Sequence, residues 1–205
     1  MTAQTWFLFC ITELILCLIP GPAVLFVLST ALRRGFSCAS TAAGGILASN
    51  TFYFALSASG IAAVIVASHA VFDAIKWLGA AYLIWLGVRM VFSRAAPHTD
   101  ATGAASEIRD RVFLRAFVVQ SSNPKSLIFF VALLPQFISP TLSVPRQILI
   151  LGITSILIEF AVLSGYAAIA SRARNVAGTR FSQSLERMGG AMLIAAGARL
   201  AWIRG

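Results

Sequence analysis

Charge is what this chain lacks. Only 11% of its residues are charged and seven are acidic, against about 25% charged in an ordinary globular domain. That scarcity excludes a soluble protein with a solvated surface. The formal charge of +9 does not restore a nucleic-acid reading, because the arginines fall in short segments between apolar runs instead of on one basic face. Cysteine is scarce as well. Cys10, Cys17 and Cys38 are odd in number and form no CxxC, so neither a disulfide framework nor a zinc site is supported. Cys10 and Cys17 share a helical face and read as small packing residues. No P-loop is present, which excludes ATP-driven transport by this chain alone. No nucleophile or acid–base constellation with workable spacing appears, so the chain reads as a non-enzyme without a cofactor.

What is present is apolar. Hydrophobic residues make up 59% and mean hydropathy is +0.86. At about 20 residues per crossing, the 205 residues hold six spans, near 6–32, 41–67, 74–92, 113–138, 147–171 and 185–203. The predicted fold is therefore an all-α integral membrane protein. Span one is too long for a signal-peptide core and is read as a retained helix. Residues 93–112 form a polar linker with Pro97, His98, Asp100, Gly103, Glu107 and Asp110. It separates two three-helix units, 1–92 and 113–205.

The two units look like copies. Gly79, Tyr82, Leu83, Ile84, Gly87 and Arg89 align without gaps on Gly189, Met192, Leu193, Ile194, Gly197 and Arg199. Because three spans is an odd number, the second copy enters from the opposite side, which gives the inverted repeat common in secondary transporters. Of sixteen lysines and arginines, eleven lie on the side of connections 1–2, 3–4 and 5–6, four lie opposite, and Lys125 sits within a span. The positive-inside rule then places both termini on the periplasmic side.

Each unit opens with a broken helix. Pro20, Gly21 and Pro22 interrupt span one, and Asn123 and Pro124 interrupt span four. A proline removes an amide donor, and lipid tolerates the break only where protein or a cavity satisfies the freed backbone. Lys125 follows the second break, with about twelve residues, or ~18 Å of helix, on either side. That is too far for easy snorkelling, and a charge at such depth is usually kept for function. Gly79, Gly87, Gly189, Gly190 and Gly197 allow close helix approach, within the protomer or in a homodimer.

These residues carry a resemblance. Pro20, Gly21 and Pro22, then Arg34 and Gly35, Gly44 and Gly45, and the segment from Asn123, Pro124 and Lys125 through Phe129 and Phe130 to Pro135, Gln136 and Phe137 resemble the LysE/RhtB amino-acid exporter family. Trp77, Gly79, Tyr82, Leu83 and Gly87 match it too. The resemblance covers nearly the whole chain. It implies an inner-membrane exporter of amino acids or derivatives with six helices, driven by proton exchange, with a small neutral substrate such as threonine, homoserine or a branched-chain amino acid. Two positions depart from the pattern: Ala23 stands where many members carry a polar residue, and Glu13 lies within span one.

A zwitterionic substrate needs partners for both poles. Half-helix N-termini at Pro20–Pro22 and Asn123–Pro124 suit its carboxylate. Lys125 adds a positive charge, or pairs with Glu159 in a purely structural role. Glu13 and Glu159 are the acids within spans, each a candidate proton carrier or amine ligand. Asn123 offers donor and acceptor, and Asn50 either lines the cavity or links helices. Gln120, Ser121 and Ser122 are read as partners for the freed backbone, and Gln136 as part of a gate. His69 is read as interfacial, and the tryptophans as belts or packing. A cadmium-type metal exporter is the alternative; it would need a cluster of thiolate, imidazole or carboxylate ligands. A membrane redox conductor would need cysteines in both units, and none follows Cys38.

Overall fold

A computed structural model describes residues 1–59, 69–92, 105–139, 141–173 and 179–202. These residues form eight α-helices and no strand. In chain order they are α1 (Ala3–Leu18), α2 (Pro22–Arg34), α3 (Phe36–Ala58), α4 (His69–Val91), α5 (Ala105–Ser121), α6 (Pro124–Ile128), α7 (Val144–Ala173) and α8 (Thr179–Trp202). A π-helical turn at Phe129–Leu133 and a 3₁₀ turn at Leu134–Phe137 continue α6.

The proline breaks fall where the sequence puts them. Ile19, ahead of Pro20, is extended at φ −76°, ψ 113°, as a residue preceding proline must be. Pro22 then sits at the first position of α2, where no amide is needed. The axis turns 53° between α1 and α2. Gly35, at φ 80°, is the one positive-φ residue among those described. It ends α2 and starts α3 with no connecting loop. Arg33 and Arg34 lie in the last turn of α2, where the helix dipole favours cations.

Part of the expected linker, 93–112, is helical. Residues 93–104 lie outside the described residues, and with them Pro97, His98, Asp100 and Gly103. Residues 105–112 already belong to α5. Charge alternation in this stretch reads as loop, but it contains no glycine or proline after Gly103, so nothing stops the helix from starting early.

By length and composition, α7 is able to cross a membrane, and α1 with α2 qualifies as one bent span. The surface agrees with a lipid environment. Phe7, Leu8 and Ile15 on α1, and Leu149, Leu157 and Ile169 on α7, are exposed, while Glu13, Ser49, Asn50, Gln120 and Glu159 are buried. Such an apolar exterior is far more than a soluble monomer shows.

Small residues bring the helices together. α3 packs on α5 and α7, and α4 packs on α8. A methyl group added to Gly45 would lie 2.3 Å from the Phe113 carbonyl oxygen of α5, and one on Gly87 would lie 2.5 Å from the Gly190 oxygen of α8. Gly87 and Gly190 thus serve packing within the protomer. An alanine-rich core around Val27, Ala31, Ala42 and Leu163 fills one region. Phe9, Phe54, Phe129 and Phe130 fill another, and between them lies the polar site.

Candidate functional site

Both breaks, both intramembrane acids and Lys125 meet at one cavity. Its lining includes Glu13, Gly21, Asn50, Asn123, Lys125 and Glu159. The cavity holds about 60 Å³, well under the ~300–1,000 Å³ of ligand pockets, so the site is contracted. A second, larger opening of about 250 Å³ lies alongside, lined by Leu16, Pro124, Lys125, Ile128, Phe129 and Leu133. Leu16, Lys125 and Phe129 line both and form the wall between them.

At the first break, α1 ends with carbonyls that no following turn can satisfy. Lys125 Nζ donates to the carbonyl oxygens of Leu16 and, at 3.0 Å, Ile19. Tyr166 Oη donates to the Leu18 oxygen at 2.9 Å. A cation at a helix C-terminus is favoured by the dipole. In place of the alternative pairing with Glu159, the Lys125 ammonium tethers α6 to α1 through the Leu16 and Ile19 carbonyls, of which Leu16 O also accepts from Ile19 N at 3.3 Å. On the other side of the same break, no side chain caps the N-terminus of α2, and Gly21, Ala23 and Val24 line the cavity. Pro20 is exposed, whereas Gly21 and Pro22 are buried.

The second break is closed differently. Asn123 caps α6, its Oδ1 accepting from Lys125 N at 3.1 Å, so this N-terminus is filled by its own residue. The Ser121 carbonyl accepts from Tyr53 Oη. Ser121 Oγ turns to Phe117 O at 2.8 Å and to Ser49 Oγ at 2.8 Å, and Gln120 bonds side chains. The freed backbone at this break is thus served mainly by Tyr53, not by the Gln120–Ser122 side chains expected to do so.

The acids sit on different helices. Glu13, on α1, accepts from Ser155 Oγ of α7 and from Cys17 Sγ at 3.8 Å. Glu159, on α7, accepts from Asn50 Nδ2 of α3. Gln120 Nε2 donates to Asn50 Oδ1 at 2.9 Å, and Asn123 Nδ2 donates to Gln120 Oε1 at 3.2 Å. Among the described residues no buried side-chain nitrogen or oxygen lacks a partner. Both carboxylate residues line the cavity, with the bonds above made to Glu13 Oε1 and Glu159 Oε2. Chemically the site offers two carboxylates, one ammonium and an open helix N-terminus.

Sequence reasoning brought Glu13, Glu159, Asn50, Asn123, Lys125 and the first break to this site. It missed Tyr53, Tyr166, Ser155 and Cys17. The tyrosines carry a usable signal, since a hydroxyl within an apolar span must find an acceptor. His98 lies outside the described residues, as does the side chain of His69. No group of three His, Cys, Asp or Glu side chains able to hold a metal occurs among the described residues.

The LysE type translocator family matches residues 14–203. The chain belongs to that family. As a LysE type translocator it is a membrane transport protein. It is 36% identical to the homoserine/homoserine lactone efflux protein of Salmonella typhi, with 100% of this chain and 99% of the relative covered. It is 34% identical to an uncharacterized membrane protein of Vibrio cholerae serotype O1, with 98% of each covered. Against the leucine efflux protein of an Enterobacter species it is 33% identical over 72% of this chain and 70% of the relative. No solved structure matches this LysE type translocator.

Proposed function

We propose that this chain exports a small neutral amino acid or derivative, of the homoserine or threonine kind, from the cytoplasm in exchange for protons. Amino-acid efflux is the activity named for two of its relatives. In this reading the chain lies in the bacterial inner membrane as six spans in two inverted three-helix units, 1–92 and 113–205, joined by a cytoplasmic linker, with both termini periplasmic. Support for the repeat comes from the paired breaks and from the α4–α8 packing at Gly87 and Gly190, the segments that align in sequence.

The observation that carries the proposal is the convergence of Glu13, Glu159, Lys125 and the first break on one cavity. A zwitterion's ammonium is matched by the two carboxylates. Its carboxylate is matched by the uncapped N-terminus of α2, whose leading amides have no intrahelical acceptor. Lys125 stands beside that end: a methyl group on Gly21 would lie 3.8 Å from its Cδ. A proton on Glu159 or Glu13 competes with the ammonium for the same oxygens, so proton entry expels the substrate and the empty site is reset when the proton leaves to the cytoplasm. Displacing Lys125, which lines both spaces, would join the cavity to the neighbouring space of about 250 Å³.

The test is efflux from everted vesicles or preloaded proteoliposomes, with an amino-acid mixture read by mass detection with and without a pH gradient. Gradient-dependent movement of homoserine, threonine or leucine, lost in Glu159→Gln, is the expected result. Efflux indifferent to the gradient would remove the proton, and no amino-acid movement at all would remove the substrate class. No observation favours the metal-exporter alternative.

A further inference from the structure

We propose that Gln120 is a positioning residue that couples protonation of Glu159 to the N-terminal cap of α6, through one chain of side-chain amides that all point the same way. This inference rests on the proton-coupled reading above. The chain begins at a donor that cannot reverse, the backbone N–H of Lys125. That N–H fixes Asn123 Oδ1 as acceptor at 3.1 Å, which turns Asn123 Nδ2 toward Gln120 Oε1 at 3.2 Å. Gln120 Nε2 must then donate to Asn50 Oδ1, at 2.9 Å, and Asn50 Nδ2 to Glu159 Oε2. Each amide accepts at one end and donates at the other. The sequence of bonds joins α6, α5, α3 and α7, and it closes only if its last member is an acceptor.

Ionised Glu159 is that acceptor, and a charge-assisted bond at the end of a chain polarises the bonds behind it. A proton arriving on Oε1 leaves Oε2 a neutral and weaker acceptor. A proton arriving on Oε2 makes it a donor, and Asn50 must present Oδ1 in place of Nδ2. Gln120 then reverses to accept from Asn50, and Asn123 Oδ1 turns to accept from Gln120 and leaves the Lys125 N–H. One proton enters Glu159 and the same proton later leaves it; the amides change orientation without gaining or losing protons. The cap is the sensitive end because the side chain of Lys125, the second residue of α6, holds the Leu16 and Ile19 carbonyls of α1. Loosening the cap therefore slackens the wall between the two openings.

Other ionisable groups around Glu159 are Glu13 and Cys17 from α1 and Lys125 from α6, all lining the same cavity. α3 brings Asn50, and α2 brings Ala23 and Val24, to that lining without an ionisable group. Gln120 is itself buried on α5 and lines the same cavity, but both ends of its amide are engaged by Asn50 and Asn123, so it acts on Glu159 through Asn50.

The experiment uses the full chain in proteoliposomes loaded with homoserine. Homoserine exchange at equal pH is compared with net efflux under a pH gradient. In Gln120→Met, which keeps side-chain volume and removes both polar ends, gradient stimulation should fall about tenfold, within the usual range of coupling between sites, while exchange persists. Gln120→Glu accepts from Asn123 but, when ionised, cannot donate to Asn50; it should lose stimulation in the same way. If the wild type shows exchange without gradient stimulation, proton coupling fails and the relay with it. If the wild type is stimulated and either inserted variant is stimulated equally, the relay alone is overturned. A measurement independent of insertion of variants and of the substrate is the infrared difference spectrum of the wild-type chain across a pH step. Side-chain amide bands should shift together with the protonated carboxyl band. A carboxyl band that rises with the amide bands unmoved overturns the proposal.

Discussion

At the first break the loose carbonyls of α1 are held by Lys125 and Tyr166, side chains more than a hundred positions away. At the second, Asn123 caps the helix it precedes and Tyr53 takes the Ser121 carbonyl. The first break bends the chain by 53° and leaves the α2 N-terminus uncapped; the second carries its own N-cap. A helix end closed by distant side chains opens when those side chains move, whereas the Asn123 cap opens only if the Asn123 amide itself turns, and that amide is held by Gln120. In the proposed reading the first break faces the ligand and the second senses the proton. Lys125 belongs to both, since its backbone completes one closure and its side chain the other.

The largest effect should come from Lys125. Replacing it with alanine removes both tether bonds, but Leu16 O keeps the Ile19 N–H and the Ile19 bond is exposed, so the unfolding midpoint should move little, while homoserine efflux should drop by roughly a hundredfold, as expected of a deep charge kept for function. Lys125→Arg should recover part of that. Efflux read by mass detection, alongside the unfolding midpoint in detergent, checks it; normal efflux in Lys125→Ala would make the first break merely structural. Next comes Tyr53→Phe, which leaves the Ser121 carbonyl unpaired and should destabilise by about 1–3 kcal/mol, read as a lowered unfolding midpoint.

Asn123→Ala should cost about 1 kcal/mol as the loss of an N-cap. Asn123→Asp keeps that cap and should be milder in stability. Equal midpoints for the two would show that the cap is not what Asn123 contributes. The smallest shift is expected for Tyr166→Phe, below about 1 kcal/mol, because its bond to the Leu18 carbonyl is exposed while that of Tyr53 is part-buried. A shift larger than that of Tyr53→Phe would reverse the ranking of the two tyrosines.

Much of the site was legible one residue at a time. A lysine or glutamate in an apolar run is conspicuous, and so is a proline beside it. Partners were harder to read. Lys125 has an obvious charge complement in Glu159, yet it bonds backbone carbonyls, because a helix end close by outcompetes a carboxylate that Asn50 already occupies. Gln120 seemed suited to the local backbone and instead bridges Asn50 and Asn123. Boundaries also moved, as at residues 105–112, where a charged stretch continues α5.

The sequence alone determined the solvent and the interruptions. Hydropathy reports transfer free energy, a sum over residues, and proline acts on its own turn, so both are local quantities. Membership of the family was legible for the same reason, carried by a contiguous run from Asn123 to Phe137. The tertiary structure decided which hydrogen bond each polar group makes. That choice depends on distances between α1, α3, α5, α6 and α7, set by packing at residues such as Gly45, and a hydrogen bond is lost within a few tenths of an ångström or a few tens of degrees. No local pattern encodes such distances, so the direction of the amide chain from Lys125 to Glu159 exists only in the folded protein.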